Sequence, residues 1–322
     1  MSQLVTSLEK PDTLTGWQLA LALFRGRRVP GIAWEHPVYR CKFMLRYLCT
    51  FKHSAPWLAY LAQSPLLPQM LATQPGLPCK LHRPYLAANM KSEQRLAALL
   101  FHYDYIQSHL PKPLLKGHMS RAGVILAELE GKNGQRFYLR FDSLDHLNRE
   151  GEATVLFCDE QDVMLAEITF AFTPGQGATL FIGGLQGARR DVEHETIQLA
   201  TKSCHGLFPK RLALEAVMLL ASNLGVARIL AVGNGSHMYQ DLRYSCKKKR
   251  FLHADYDNFW LSLNGQSNEQ GYFQLPLCIA RKPLDTLPSK KRAEYRRRYD
   301  LLDQLTRQIN AHFVKDEKPA IS

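Results

Sequence analysis

The hydrophobic residues of this chain change their spacing near residue 120, and that change sets what the chain can fold into. Up to about residue 118 they recur at helical spacing, in WQLALALF, in FMLRYLCTFKHSAPWLAYLAQ and in KSEQRLAALLFHYDYIQSHL. Proline-rich breaks run through PLLPQMLATQPGLPCKLHRPYL. In the third helical segment Ser92 is placed to cap, and Leu96, Leu99, Leu100, Tyr103 and Ile106 fall on one face. The segment LPKPLLKG, 110–117, ends this region with two prolines and marks a domain boundary.

From about residue 121 the period is two. VILAELEG and QRFYLRFDS flank the turn GKNG, a hairpin signal. EATVLFCDE, VMLAEITFAF and GATLFIGGLQG follow across short turns, so five strand candidates in a row imply a largely antiparallel meander. Two helices come next, VEHETIQLATKSCHG and FPKRLALEAVMLLASNLG. In the second, Pro209 suits the first turn and Gly225 the stop. Leu212, Leu214, Val217, Leu219, Leu220 and Leu224 leave it little polar face, so it should lie buried against the sheet. ARILAV, NFWLSLNG and GYFQLPLCI read as further strands. LPSKKRAEYRRRYDLLDQLTRQINAHF reads as a basic amphipathic helix with Leu301, Leu302, Leu305 and Ile309 as its apolar stripe. The fold class is therefore α+β, in three parts: a helical region over 1–118, a mixed and largely antiparallel sheet with a buried helix over 119–283, and a basic helix and tail over 284–322.

Charge is distributed unevenly. Residues 1–120 carry 14 Lys/Arg against 5 Asp/Glu, residues 121–280 carry 16 against 18, and residues 281–322 carry 11 against 6. The basic excess sits at the two ends, where an anionic partner such as a membrane surface would be met, unless it serves only solubility. The seven cysteines show no CxxC spacing, which argues against a disulfide framework or a zinc site, and Cys158 and Cys278 read as strand residues. The first residues lack a basic stretch followed by an apolar one, and no run reaches the ~20 apolar residues of a membrane span. A cytoplasmic location is expected, with peripheral contact at the inner membrane open. Walker A, GxGxxG, HExxH and GxSxG sequences are absent, as are the signatures of sequence-specific nucleic-acid readers, so that partner class is not expected.

The stretch HGLFPKRLALEAVMLLASNLGVARILAVGNGSHMY, after the loop GGLQGARRD, resembles the bacterial VirK/YbjX family, with HGLFPK and NGSHMY as the specific parts. The resemblance covers most of the chain. It implies an envelope-related role in a Gram-negative bacterium, since members are linked to virulence, surface-protein display and resistance to cationic antimicrobial peptides. It supplies no reaction. The meander, loop, buried helix and strand also look like the acyl-CoA-binding half of a GNAT-type acyltransferase. That second resemblance implies an acyl-CoA donor whose pyrophosphate rests on a helix N-terminus. It implies close backbone approach at Gly183, Gly184 and Gly187, added charge from Arg189, Arg190, Lys210 and Arg211, and a role for Asn234 after the strand. The sequence departs from that pattern: about twenty residues separate GGLQG from FPKRLALEA, and no Q/R-x-x-G-x-G/A sequence opens the buried helix.

GNGSHMYQ, 233–240, follows ARILAV directly and admits two readings. Asn234-Gly235 forms an ordinary turn, or the stretch is the lip of a site at a strand end, where α/β folds present ligand groups. In the second reading His237 acts as a general base and Tyr239 protonates a leaving thiolate. His205, before Gly206, either faces the same site or caps a helix C-terminus. The competing account of the whole chain is a non-catalytic module whose basic ends dock on anionic membrane or an envelope protein.

Overall fold

The computed structural model describes residues 14–240 and 255–314. The basic run Lys247, Lys248, Lys249 and Arg250 lies outside the described residues. Helices α1 (Gly16–Phe24), α2 (Pro37–Cys49), α3 (Phe51–Gln63), α4 (Leu67–Thr73), α5 (Ser92–His109) and α6 (Lys112–His118) come first. Strands β1 (Val124–Glu130), β2 (Arg136–Asp142), β3 (Ala153–Asp159), β4 (Met164–Thr173) and β5 (Thr179–Gly187) form the expected antiparallel meander. Helices α7 (His194–Ser203) and α8 (Pro209–Asn223) cross to β6 (Arg228–Val232), which pairs parallel to β5. Helix α9 (Tyr256–Leu261), the two-residue β7 (Gln266–Ser267), β8 (Tyr272–Leu275) and α10 (Ser289–Ala311) complete the chain. One sheet results, in the order β1-β2-β3-β4-β5-β6-β8-β7.

The local chemistry accounts for the elements. Asn133 and Gly134 both take positive φ, 61° and 75°, in the GKNG turn, which is the backbone a tight hairpin requires. All of β3 and all but the first residue of β4 are buried, so both sheet faces are covered. Helix α8 packs across β3, β4 and β5, whereas α5 lies on β4 with His102 stacked on Phe172 at 5.6 Å. Helix α10 buries Leu301, Leu302, Leu305 and Ile309, and its Gln308 accepts from Glu128 N and donates to Glu128 O (2.8 and 2.7 Å). Those bonds close the backbone of edge strand β1, the usual liability of an open sheet.

Four sequence expectations are corrected. NFWLSLNG contains helix α9 rather than a strand. Asp255 caps it by accepting from Asn258 N (3.2 Å), and Tyr256 and Trp260 are buried one helical turn apart. Cys278 lies beyond the end of β8 and is exposed. The long segment 43–63 is two helices, broken at Thr50 (φ −112°, ψ 24°), whose hydroxyl bonds back to Arg46 O at 2.7 Å. Ser92 is the first residue of α5 rather than its cap, and Lys91 N donates to Gln94 Oε1 (2.9 Å).

One polar cluster joins the N-terminal helices to the sheet. Lys80 Nζ lies 2.7 Å from Glu152 Oε1 and donates to Asn148 O at 2.6 Å, and both side chains are sealed from solvent. Tyr103 donates to the other Glu152 oxygen at 2.6 Å, and Gln74 and Ser143 bond to Glu152 O. Burial pulls the Lys80 ammonium down from its ordinary range, and the Glu152 carboxylate opposes that pull.

Three buried histidines give folding a defined acid sensitivity. Burial pushes His118 down to about 4, and burial with the nearby Arg46 and Arg83 does the same for His82. His102 is held well below its ordinary value by burial, and its Nδ1 must stay unprotonated to accept from Phe172 N (3.1 Å). The unfolded chain takes up protons near pH 6.5, whereas the native state resists until about pH 4. Stability is therefore complete above pH 6.5 and is lost as pH falls through that window, by up to ~1.4 kcal/mol per pH unit for each histidine. Urea unfolding between pH 7.5 and 4.5 should show this fall, with a shallower slope in His118→Phe.

Candidate functional site

Strands β5 and β6 run parallel, so their C-terminal ends lie at one edge of the sheet, where antiparallel β4 begins. A cavity of about 460 Å³ opens there. Its walls come from Glu167 on β4, Gln186 and Gly187 on β5, Lys210 on α8, His237 and Tyr239 after β6, Tyr256 on α9, and His146 and Glu150 on the loop before β3. Arg189 and Arg190 stand exposed at its rim.

Glu150 is the centre of the arrangement. Its side chain is 2% exposed, and Gln186 Nε2 reaches both carboxylate oxygens at 3.3 and 3.2 Å. Period-two alternation puts Gly184 on the face of β5 that carries Gln186. A Cβ at Gly184 would stand 1.8 Å from Glu150 Oε2, and one at Gly183 would stand 2.0 Å from Glu150 O. The paired glycines thus lie inside β5 and make the space in which Glu150 crosses the sheet.

His237 is buried and faces Glu150, with Nε2 3.7 Å from Oε1 and no hydrogen bond of its own. Tyr239 N donates to His237 Nδ1 (3.4 Å), which leaves the neutral ring's proton on Nε2, toward the carboxylate. The imidazole stacks on Tyr256 at 5.2 Å and 20°, and Tyr239 packs on it at 5.0 Å. Burial, with Glu150 nearby, raises the Tyr256 phenol far above its ordinary value, and its oxygen accepts from Leu185 N at 3.3 Å. On the other wall His146 lies 3.7 Å from Glu167, a carboxylate partner that raises the imidazole above its ordinary value. Lys210 is pulled down by burial alone. Among the described residues, no group of His, Cys, Asp and Glu side chains is arranged to hold a metal ion.

The remaining sequence candidates fall elsewhere. Asn234 is a clamp: its N donates to Asp257 (2.7 Å), its Nδ2 to Asp255 (3.1 Å), and its Oδ1 accepts from Tyr256 N (2.9 Å). It fixes the start of α9 against the end of β6. His205 has φ 54° at the C-terminal turn of α7, and its carbonyl accepts from Arg298 Nε at 3.0 Å, outside the cavity. Arg211 pairs with Glu215 at 2.7 Å. Burial raises neighbouring Cys204 to about 12, which leaves it a thiol.

A second cavity, of about 630 Å³, lies against the first and shares Gly187, Ala188 and Lys210 with it. Leu165, Ile197, Leu207, Phe208, Phe259 and Leu263 give it apolar walls, and Arg211 and Arg298 stand in its lining. The N-terminus of α8 opens into it, with Pro209 first and no side-chain cap.

Comparison with known proteins places the chain. Residues 33–311 match the family described as "Protein of unknown function (DUF535)". The chain belongs to this family. It is 44% identical over 315 residues to the "Uncharacterized protein YbjX" of Escherichia coli (strain K12), covering 97% of this chain and 95% of that protein. An "Uncharacterized protein" of Haemophilus influenzae is 27% identical over 219 residues, 68% of this chain and 71% of its own length. A second protein of that organism is 35% identical over 133 residues, 41% of this chain and 43% of its own length. The VirK/YbjX resemblance read from HGLFPK and NGSHMY is thereby established.

Sequence reading missed Glu150, Glu167, His146 and Tyr256. Glu167 carried a signal, since a carboxylate inside MLAEITFAF has no reason to be buried unless it is engaged. Glu150 carried none, because it sits in the polar loop DSLDHLNREGE, where a charged residue is ordinary. The glycine contacts give a test. Gly184→Ala should cost about 1–3 kcal/mol by overpacking. Glu150→Ala in the same chain should recover most of that cost, because the clash is with a side chain. Gly183→Ala should gain no such relief, because its clash is with backbone. Urea midpoints of the four variants decide it.

Proposed function

We propose that this protein is an acyltransferase that draws its acyl group from a coenzyme A thioester. The observation that supports the reading is the pair of cavities meeting at Gly187, Ala188 and Lys210. The second cavity suits the donor: its apolar walls match a pantetheine arm, and the uncapped N-terminus of the 15-residue α8 favours a pyrophosphate. Lys210, with no carboxylate among the described residues within ion-pair distance, adds a free charge at that point. Strand β6, reached from the meander through the buried helix α8 and paired parallel to β5, fits the loop, helix and strand on which the acyltransferase resemblance rests. The twenty-residue insertion contains the ten-residue helix α7, whose Ser203 Oγ bonds to Lys132 O at 3.3 Å.

The first cavity holds the groups for transfer. The acceptor's N–H or O–H proton passes to the Glu150–His237 pair, with the carboxylate as the receiving group because His237 Nδ1 is occupied by Tyr239 N–H. The acceptor attacks the thioester carbonyl and forms the new acyl bond. The carbon–sulfur bond breaks, the departing sulfur takes its proton from the Tyr239 phenol, and the proton held by Glu150 returns to the phenolate through solvent, which restores both groups. Calorimetry against coenzyme A, acetyl-CoA, a long-chain acyl-CoA and acyl carrier protein tests this. One donor should bind saturably, and Lys210→Ala should weaken it about tenfold. Glu150→Gln should keep the binding and lose ~10²–10⁴-fold in turnover. A folded protein that binds no donor contradicts the proposal.

A second reading, peripheral docking on an anionic membrane, is favoured by α2. This helix buries Phe43 and Tyr47 yet exposes Val38, Cys41, Leu45 and Leu48 along its opposite face. Lys42 on the same helix is exposed beside that stripe, and Trp17, Ile32 and Phe51 are exposed elsewhere in the N-terminal region. Among the described residues no helix is long and apolar enough to cross a membrane. Sedimentation with phosphatidylglycerol vesicles should be abolished by Leu45→Glu, whereas equal sedimentation of both proteins would exclude this surface. Docking is compatible with catalysis and would bring the site to the envelope, where the family resemblance implies its role.

A further inference from the structure

The described cavities continue past the transfer site. A cavity of about 180 Å³ shares His146, Glu150 and Tyr239 with the transfer cavity, and shares Arg83, Asp145, Asn148 and Arg149 with another of about 490 Å³ beyond it. That farther cavity lies between the N-terminal helical region and the 143–150 loop. Arg83 lines both of these, and a third cavity bounded by Lys42 and Arg46.

The two ends of this path differ in charge: the transfer end mixes Glu150 and Glu167 with Lys210, Arg189 and Arg190, whereas the far end is mainly basic. Carboxylates Glu150 and Glu167 face the transfer end. Arg83, Arg121 and Arg149 line the far end, where Lys80 is already paired with Glu152. The carboxylate at the far end, Asp145, is turned to local work: its Oδ1 accepts from Gly76 N (3.3 Å) and from Asn148 Nδ2 (3.2 Å). Arg83 is half-buried, and among the described residues no carboxylate lies within ion-pair distance of it. A half-buried guanidinium with no counter-charge leaves its positive field open to an anion, and its planar fork matches phosphate oxygens. Burial raises the Cys79 thiol and the Tyr39 phenol above their ordinary values and lowers His82, and the nearby Arg83 opposes the first two shifts and adds to the third.

We propose that the acceptor of acyl transfer is a phosphate-bearing molecule, with its phosphate held at Arg83 and its attacking group at Glu150. The inference rests on the acyltransferase reading for the identity of the second end, while the phosphate site stands on its own residues. The phosphate belongs either to a soluble monoester or to a lipid headgroup, and the test separates them.

Calorimetry with inorganic phosphate and glycerol 3-phosphate, and sedimentation with phosphatidic acid vesicles, are run on wild type, Arg83→Gln and the exposed-site variant Arg121→Gln. Coenzyme A binding is measured on each. The expected result is phosphate-monoester binding weakened at least tenfold in Arg83→Gln and less in Arg121→Gln, with coenzyme A binding unchanged. Arg83-dependent binding confined to the vesicles supports the site and assigns the phosphate to a headgroup. Binding that is absent, or equal in wild type and both variants, while coenzyme A still binds, overturns the phosphate site and leaves the transferase reading standing. Arg83-dependent phosphate binding with no coenzyme A binding overturns the transferase reading instead. Should Arg83→Gln fail to fold, Arg121→Gln and Arg83→Lys carry the comparison, and unchanged phosphate affinity in both overturns the site.

Discussion

The geometry of this molecule depends on the buried ion pair between Lys80 and Glu152. Two ionised groups taken out of water are tolerated only when their remaining hydrogen bonds are met, and breaking such a pair costs about 3–5 kcal/mol. Here Asn148 O, Tyr103 and the surrounding backbone meet them. The pair locks the 143–152 loop to the N-terminal helices, and two residues before Glu152 that loop delivers Glu150 to the sheet. An apolar replacement of similar volume would fill the space. It would not set the loop's direction, because van der Waals contacts do not distinguish rotations as a directed set of hydrogen bonds does.

A second tie runs through Leu86. This buried residue has φ 61°, a conformation that a branched side chain adopts at a cost of about 1–3 kcal/mol. Its N–H donates to Arg149 O (2.8 Å), and Ala88 N donates to Ser236 O (2.9 Å). Ala87 also bridges to His237. One strained turn of the N-terminal region therefore holds both the loop that carries Glu150 and the loop that carries His237. The N-terminal helices are part of how the site is built, although among the described residues none of theirs lines the cavity around Glu150.

Short-range forces leave their pattern in the sequence, whereas contacts between distant residues do not. The meander, the buried helix α8 and the stripe on α10 are written in local hydrophobic periodicity, and they appear where that periodicity puts them. Tyr256–Leu261 is too short for period to separate helix from strand, and Asp255 decided the outcome by capping. Around the site, GNGSHMY and GARR were visible because glycine, imidazole and charge cluster in sequence, and the structure brings His237, Tyr239, Gly187, Arg189, Arg190 and Lys210 to one cavity. Glu150 was invisible because what distinguishes it is burial against Gly183, Gly184 and Gln186. Those residues lie more than thirty positions away, and their meeting depends on the Lys80–Glu152 pair. Asn234 looked like a ligand group for the opposite reason, since a polar residue at a strand end reads alike whether it serves a substrate or a neighbouring helix.

On the proposed reading, the two joined cavities divide a donor from an acceptor across Lys210. A crystal structure with bound coenzyme A tests it most directly. The pyrophosphate should lie at the N-terminus of α8 beside Lys210, with the thiol directed past Gly187 toward Glu150 and Tyr239. Coenzyme A seated elsewhere, or with its thiol pointing away from Glu150, would contradict the claim.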